Sequence, residues 1–186
     1  IINRVAPIDI RVVKSSAASM DFHSRFFARS RTYRYTISEV DKVEPMKSRY
    51  VFEGGRQLDL AKMQAAAKLL IGEHDFRSFG EELENVKNAV RRSFVAEIVR
   101  KGNQLEIKLE ANAFIRGMVR RISGGLFEVG RGHRSEESIA RLLKTSARAS
   151  EQLPVVLPAK GLTLMRVHYG RKLRDLRLDN DGSECQ

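Results

Sequence analysis

From Gln104 to Ala111 the chain reads QLEIKLEA: Leu105, Ile107 and Leu109 alternate with Glu106, Lys108 and Glu110. A period of two marks a strand with one dry face and one wet face. Such a strand needs a second layer to cover its apolar side. The run Arg92–Arg100 precedes it across Lys101-Gly102-Asn103, so the two are predicted to form a hairpin with a short glycine turn. Immediately afterwards the period changes. Ile115, Met118, Val119, Ile122, Leu126 and Val129 recur at helical spacing. This predicts a helix from Ala113 to about Val129, with Asn112 as its cap. Gly117, Gly124 and Gly125 lower its propensity and point to close approach by a sheet or a ligand.

The remaining segments fit the same plan. Ile8–Ala18 is predicted as a strand around Ile10, Val12 and Val13. Arg29–Ser38 is a second strand, with Tyr33, Tyr35 and Ile37 on one face and Thr32, Arg34 and Thr36 on the other. Asp41–Arg56, with Pro45 and Gly54-Gly55, is predicted as a loop. Asp59 caps a helix running to about Ile71, stopped by Gly72. Gly72–Glu84 reads as turns. Ser135 with Glu136-Glu137 opens a shorter helix to about Lys144, Ala147–Lys160 is a loop, and Leu162–Tyr169 is a last strand. The order ββαββααβ predicts an α+β fold, a mostly antiparallel sheet with helices packed on one face.

Composition narrows the class of protein. With 186 residues, 42% hydrophobic and 31% charged, the chain is globular. A chain of this size buries roughly 70% of its extended surface without staples. It holds no apolar stretch long enough for a transmembrane helix. Cys185 is its only cysteine, which excludes an intrachain disulfide. Lysine and arginine number 34 against 23 acidic residues, a net charge of +11 that suits a polyanionic partner such as a nucleic acid. The opening IINRVAPIDIRVV lacks both an initiator methionine and the features of a signal peptide. It reads as the interior of a longer protein.

The charge is clustered. Arg25, Arg29, Arg31 and Arg34 interleave with Phe22, Phe26, Phe27, Tyr33 and Tyr35. Phosphates need cations and unstacked bases need flat partners, so this pattern fits RNA. An aromatic core face backed by a wet arginine face fits it as well. Arg116 and Arg120 share a helix face, and Arg131, His133 and Arg134 follow at its end. An arginine beside an apolar stripe commonly meets a carboxylate. His23, His74, His133 and His168 have no metal-ligand spacing, and no phosphate-binding glycine loop is present. His74-Asp75 reads as a turn, not a proton relay.

Three segments together carry a resemblance: FHSRFFARSRTYRY (22–35), IGEHDFRSF (71–79) and ANAFIRGMVRRISGGLFEVGRG (111–132). They resemble the bacterial-type tRNA pseudouridine synthases that modify the anticodon stem-loop, over about Pro7 to Tyr169. The resemblance implies a cytoplasmic enzyme that isomerises uridine without cofactor or metal, acts on tRNA as a homodimer and does not enter a membrane. It implies that Tyr33 packs on the target base and that Arg120 pairs with the catalytic aspartate. Phe22, His23 and Arg25 match an element near the cleft. Gly72, His74, Asp75, Phe76 and Phe79 match a structural turn. Arg29, Arg31, Arg34, Arg116 and Arg131 are the further candidates for RNA contact.

One departure is large. The family's nucleophilic aspartate stands in a GRTDxGVHA-like segment, which residues 1–186 do not contain. Asp9, Asp21 and Asp75 lack that context. Residues 1–170 are therefore expected to form the C-terminal domain of such a fold, with 171–186 a basic, then acidic tail. Arg148–Leu164 also departs from the family's loop, through Glu151-Gln152-Leu153. The alternatives are a non-catalytic RNA-binding protein derived from this family and an interaction domain without RNA.

Overall fold

The alternation in Gln104–Ala111 does build a half-buried strand, and it lies in the middle of a six-stranded sheet. The computed structural model describes residues 1–144 and 153–170; the tail 171–186 and part of the predicted Ala147–Lys160 loop lie outside the described residues. In chain order the regular elements are α1 (Ile2–Val5), β1 (Ser30–Ser38), β2 (Phe52–Glu53), α2 (Leu60–Lys68), β3 (Gly72–Asp75), β4 (Val90–Lys101), β5 (Gln104–Ala111), α3 (Met118–Gly130), α4 (Glu136–Lys144) and β6 (Leu162–His168). Short 3-10 turns occupy Arg77–Phe79, Leu83–Asn85 and Ala159–Gly161. Contacts divide the chain into two compact units. One takes in Ile1–Ala28 and, of the described C-terminal residues, those from Tyr169. The other is Arg29–His168.

In the first unit, the strand predicted for Ile8–Ala18 does not form. Ile8, Ile10 and Val13 are exposed, and no strand pairs with them. Alternation alone cannot hold an extended segment that lacks a neighbour. Instead the Asn3 amide donates to the Val12 carbonyl (2.9 Å) and accepts from the Val12 N–H (2.8 Å), replacing a ladder with one side chain.

The second unit holds the sheet, ordered β2-β1-β5-β4-β3, with β6 also paired to β1. β1 runs antiparallel to β5 along its whole length. Its other edge pairs with β6 and then, in parallel, with β2. β4 and β5 form the predicted hairpin, with Gly102 in its turn. Two strands escape the sequence pattern. β2 is two residues in the predicted Asp41–Arg56 loop, and β3 lies where turns were expected, antiparallel to β4. Both are formed by pairing to a longer strand, not by their own periodicity.

The helices pack on one face. Tyr35, Ile37, Ala96, Ile98, Leu105, Ile107 and Leu109 from the sheet meet Met63, Ala66 and Ala67 of α2, Met118, Val119, Ile122, Leu126 and Val129 of α3, and Ile139, Leu142 and Leu143 of α4. Each large apolar side chain buried there contributes about 1.5–3 kcal/mol. Asp59 caps α2 as expected, accepting from the Lys62 N–H at 3.1 Å, but the helix ends at Lys68 and not near Ile71. Ala113–Gly117 is not helical either. α3 starts at Met118, after Gly117 at φ +74°, a conformation that favours glycine. The side chain of Asn112 accepts from the Arg92 and Ala113 N–H groups instead of capping the helix.

The other sheet face is polar. Glu110 accepts from the hydroxyls of Ser30 (2.7 Å) and Thr32 (3.1 Å), with His168 Nε2 at 4.0 Å. Arg34 and Lys101 both pair with Glu106. The Ser30 hydroxyl, and after it Thr32 and the charges of His168 and Lys108, hold the Glu110 carboxyl below the ordinary glutamate range against the opposing effect of burial. A depressed folded-state value stabilises the fold above the unfolded pKa, and that contribution is lost as pH falls through the folded value. Glu110→Gln should therefore be less stable than the parent at about pH 7, with the gap closing on acidification below about pH 4. Urea denaturation at both pH values checks this; a gap that persists in acid would contradict it.

Candidate functional site

Tyr33 and Tyr35 share the helix-facing side of β1, about 7 Å apart along the strand. Their surroundings differ. Tyr35 is fully buried, and its hydroxyl donates to the Pro158 carbonyl at 2.7 Å. Burial raises its pKa far above the usual tyrosine value, although the positive charge of Arg120 acts in the opposite direction. Tyr33 is half-buried and meets Phe114 edge-on, with ring centroids 5.1 Å apart. One face of this strand thus carries an aromatic ring sealed in the core and another at the surface of the same layer.

Arg120 lies in the first turn of α3 and is half-buried. Its Nε–H donates to the Leu157 carbonyl at 2.6 Å, and the Leu157 N–H reaches back to the Arg120 carbonyl at 3.4 Å. Its terminal nitrogens make no ion pair among the described residues. Arg121, the next residue, is fastened to the Pro154 carbonyl (3.1 Å) and to Glu81 (3.7 Å). Two aspartates of the second unit are engaged locally, Asp59 at the α2 cap and Asp75 with the Arg77 N–H at 2.8 Å. Gly124 allows the Pro154–Leu157 segment to lie directly on α3, since a Cβ there would overlap the Val155 carbonyl oxygen. The close approach expected at the α3 glycines is made by this segment.

Tyr35, Arg120 and Leu157–Pro158 lie together in the second unit, and Tyr33, with Phe114 against it, stands two residues before Tyr35 on the same face of β1. Arg31 shares the Tyr33 face, and its guanidinium donates to the Asn112 carbonyl at 2.6 Å. Arg29 is exposed where the chain enters β1. Arg116 is largely exposed and paired with Glu82, whose backbone is left-handed at φ +52°. Arg34 and Arg131 lie elsewhere in the second unit. Arg34 projects from the opposite sheet face toward Glu106, and Arg131 stacks on Phe127 at the far end of α3, about 16 Å along the helix from Arg120.

Phe22, His23 and Arg25 belong to the first unit, where they organise one another. His23 Nδ1 accepts from the Arg25 and Phe26 N–H groups, Arg25 lies over the Phe26 ring, and Phe22 packs on Phe27 and Tyr169. His74 and Asp75 serve structure: His74 Nε2 bonds the Ile71 carbonyl, while the neighbouring Phe76 and Phe79 are buried in the core. Among the described residues no group of three or more His, Cys, Asp or Glu could hold a metal ion, and no helix is long and apolar enough to cross a membrane. Sequence reasoning placed Tyr35 only in the arginine–aromatic cluster of the strand and gave no role to Leu157 or Pro158. The last two act through main-chain carbonyls, which every residue possesses.

The chain is similar to known proteins over most of its length. The profile of a family described as tRNA pseudouridine synthase matches residues 66–170. A protein named tRNA pseudouridine synthase A from Citrifermentans bemidjiense is 36% identical over 171 residues, covering 92% of this chain and 68% of the relative. One of the same name from a Geobacter species is 36% identical over 168 residues, covering 90% and 68%. A tRNA pseudouridine synthase A 2 from Clostridium perfringens is 33% identical over 168 residues, with the same coverage.

The seat of Pro154–Leu157 on α3 can be tested directly. Gly124→Ala must displace either the Val155 carbonyl or the helix, and overpacking of this kind costs about 1–3 kcal/mol or more. The urea midpoint should fall accordingly; an unchanged midpoint would mean that the segment does not rest there.

Proposed function

The chain belongs to the tRNA pseudouridine synthase family, and from that premise we propose that it supplies the base-stacking tyrosine and the carboxylate-holding arginine of an enzyme that isomerises uridine to pseudouridine in the anticodon stem-loop of tRNA. The observation that carries the reading is the hold on Arg120: its Nε–H is fixed by the Leu157 carbonyl, which leaves its terminal nitrogens for another partner, and its charge acts on Tyr35, which shares the helix-facing side of β1 with the half-buried Tyr33.

In this reading the attacking aspartate comes from a segment other than these residues. Arg120 holds it ionised and oriented through charge-assisted hydrogen bonds. The aspartate oxygen bonds to C1′ as the N1–C1′ bond of the target uridine breaks, the base turns, and C5 bonds to C1′ as the aspartate leaves. The C5 proton leaves, and N1 gains one. Tyr33 stacks on the flipped base, with its hydroxyl placed to help remove that proton. No redox step occurs, so the chemistry calls for no cofactor. Arg29, Arg31, Arg34, Arg116 and Arg131, with the Phe22-His23-Arg25 element, are proposed as further RNA contacts, and the enzyme as a homodimer. The net charge of +11 supports an RNA partner.

Tritium release from tRNA carrying 5-tritiated uridine tests the reading. In the intact protein, Arg120→Lys should lower turnover roughly 100-fold, the loss of a positioned charged pair of about 3 kcal/mol. Residues 1–186 alone, in excess over tRNA, should release none. Wild-type turnover by the lysine variant would exclude the role given to Arg120. Release by residues 1–186 alone would place the nucleophile within them. An intact protein that binds tRNA in a salt-sensitive manner but releases no tritium would be an RNA-binding relative and not an enzyme.

A further inference from the structure

Two consecutive carbonyls on one short segment receive two side chains of different function. The Leu157 carbonyl takes the Arg120 Nε–H at 2.6 Å, and the Pro158 carbonyl takes the Tyr35 hydroxyl at 2.7 Å. We propose that Tyr35 is a positioning residue for the isomerisation, setting the direction of the Arg120 guanidinium through the Leu157–Pro158 backbone. This rests on the role of Arg120 given above, and goes beyond it by naming what aims that side chain.

The geometry supports the transmission. Only φ and ψ of Pro158 separate the two carbonyls; the ring fixes φ, and the residue stands at φ −55°, ψ 148°, so the direction of one carbonyl constrains its neighbour. Proline has a fixed φ and no N–H, which leaves its carbonyl as that residue's only main-chain hydrogen-bonding group. The Tyr35 ring itself cannot drift. It is fully buried, flanked on β1 by a continuous β5 ladder, and closed over by Gly161, where a Cβ would fall 2.7 Å from ring atom Cζ. Arg120 is also close enough that its charge acts on the Tyr35 hydroxyl. A tyrosine with no exposed surface cannot touch RNA. Any effect of its hydroxyl on turnover therefore passes through the protein.

Tyr35→Phe in the intact protein is the test, since it keeps the ring and removes only the hydroxyl. Turnover in the tritium-release assay should fall about tenfold with KM for tRNA within about twofold. The Arg120 Nε–H resonance in an arginine-labelled sample, assigned by its loss in Arg120→Lys, should shift and exchange faster with water. A merely structural hydroxyl would lower the melting temperature while leaving that resonance in place, and that result overturns the proposal. So does wild-type turnover by Tyr35→Phe, whether or not the resonance moves. The two readings fail separately. If Arg120→Lys is fully active, the role of Arg120 falls; if it is impaired and Tyr35→Phe is not, only the positioning role falls.

Discussion

Everything at the candidate site depends on the pairing of β1 along both of its edges. β5 takes one edge from Arg31 to Ser38, and β6 and β2 share the other. A strand held this way cannot slip by one residue without exchanging its faces. Such a slip would send Tyr35 and Ile37 to the polar side and drive Arg34 and Thr36 into the helix layer. Two side chains with almost no exposure, Tyr35 and Ile37, oppose it. The register of the sheet therefore also fixes which tyrosine is sealed and which reaches the surface.

The parts of the fold that were legible in the sequence are those whose pattern is local and complete. The β4–β5 hairpin carries both alternation and its turn, the Asp59 cap precedes a good helix stripe, and α3 shows five apolar positions at helical spacing. The parts that were not legible depend on a partner. β3 has the sequence GEHD, which alternates nothing, and exists because β4 is long enough to extend beyond β5 and accept it. Ile8–Ala18 shows the converse, an apolar pattern with no strand beside it. The start of α3 was misplaced because Asn112 has the right chemistry for a cap but spends its side chain on tying β5 to β4.

At the candidate site, the sequence could nominate residues by distinctive side chains but not those that act through the backbone. Tyr33 and Arg120 stand in motifs of recognisable spacing. Nothing in the letters of Leu157 or Pro158 signals a carbonyl that receives an arginine or a tyrosine. The charge excess was a coarse guide for a related reason. It counts cations without their partners, and Arg34, Arg100, Arg116, Arg121 and Arg134 each face a glutamate in the folded chain. Arg100 is the clearest case. Its bidentate pair with the nearly buried Glu39 and its bond to the Leu58 carbonyl join the end of β4 to the approach of α2.

Arg120 and Arg121 show how neighbouring residues of one type acquire different work. They are adjacent on α3, yet Arg121 takes the Pro154 carbonyl while Arg120 takes Leu157, three residues further on. Between those anchors Val155 rests against Gly124. The segment is thus pinned at both ends and in the middle by one helix, and at Pro158 by Tyr35 from the sheet. Arg121 has a second anchor in Glu81, which leaves its side chain mostly enclosed. Among the described residues the Arg120 side chain is held through Nε alone, and a guanidinium held at that atom keeps its paired terminal donors in a defined plane. That is the geometry a carboxylate accepts in bidentate fashion. A lysine could not reproduce it, because an ammonium group has neither an Nε to anchor nor a plane to present.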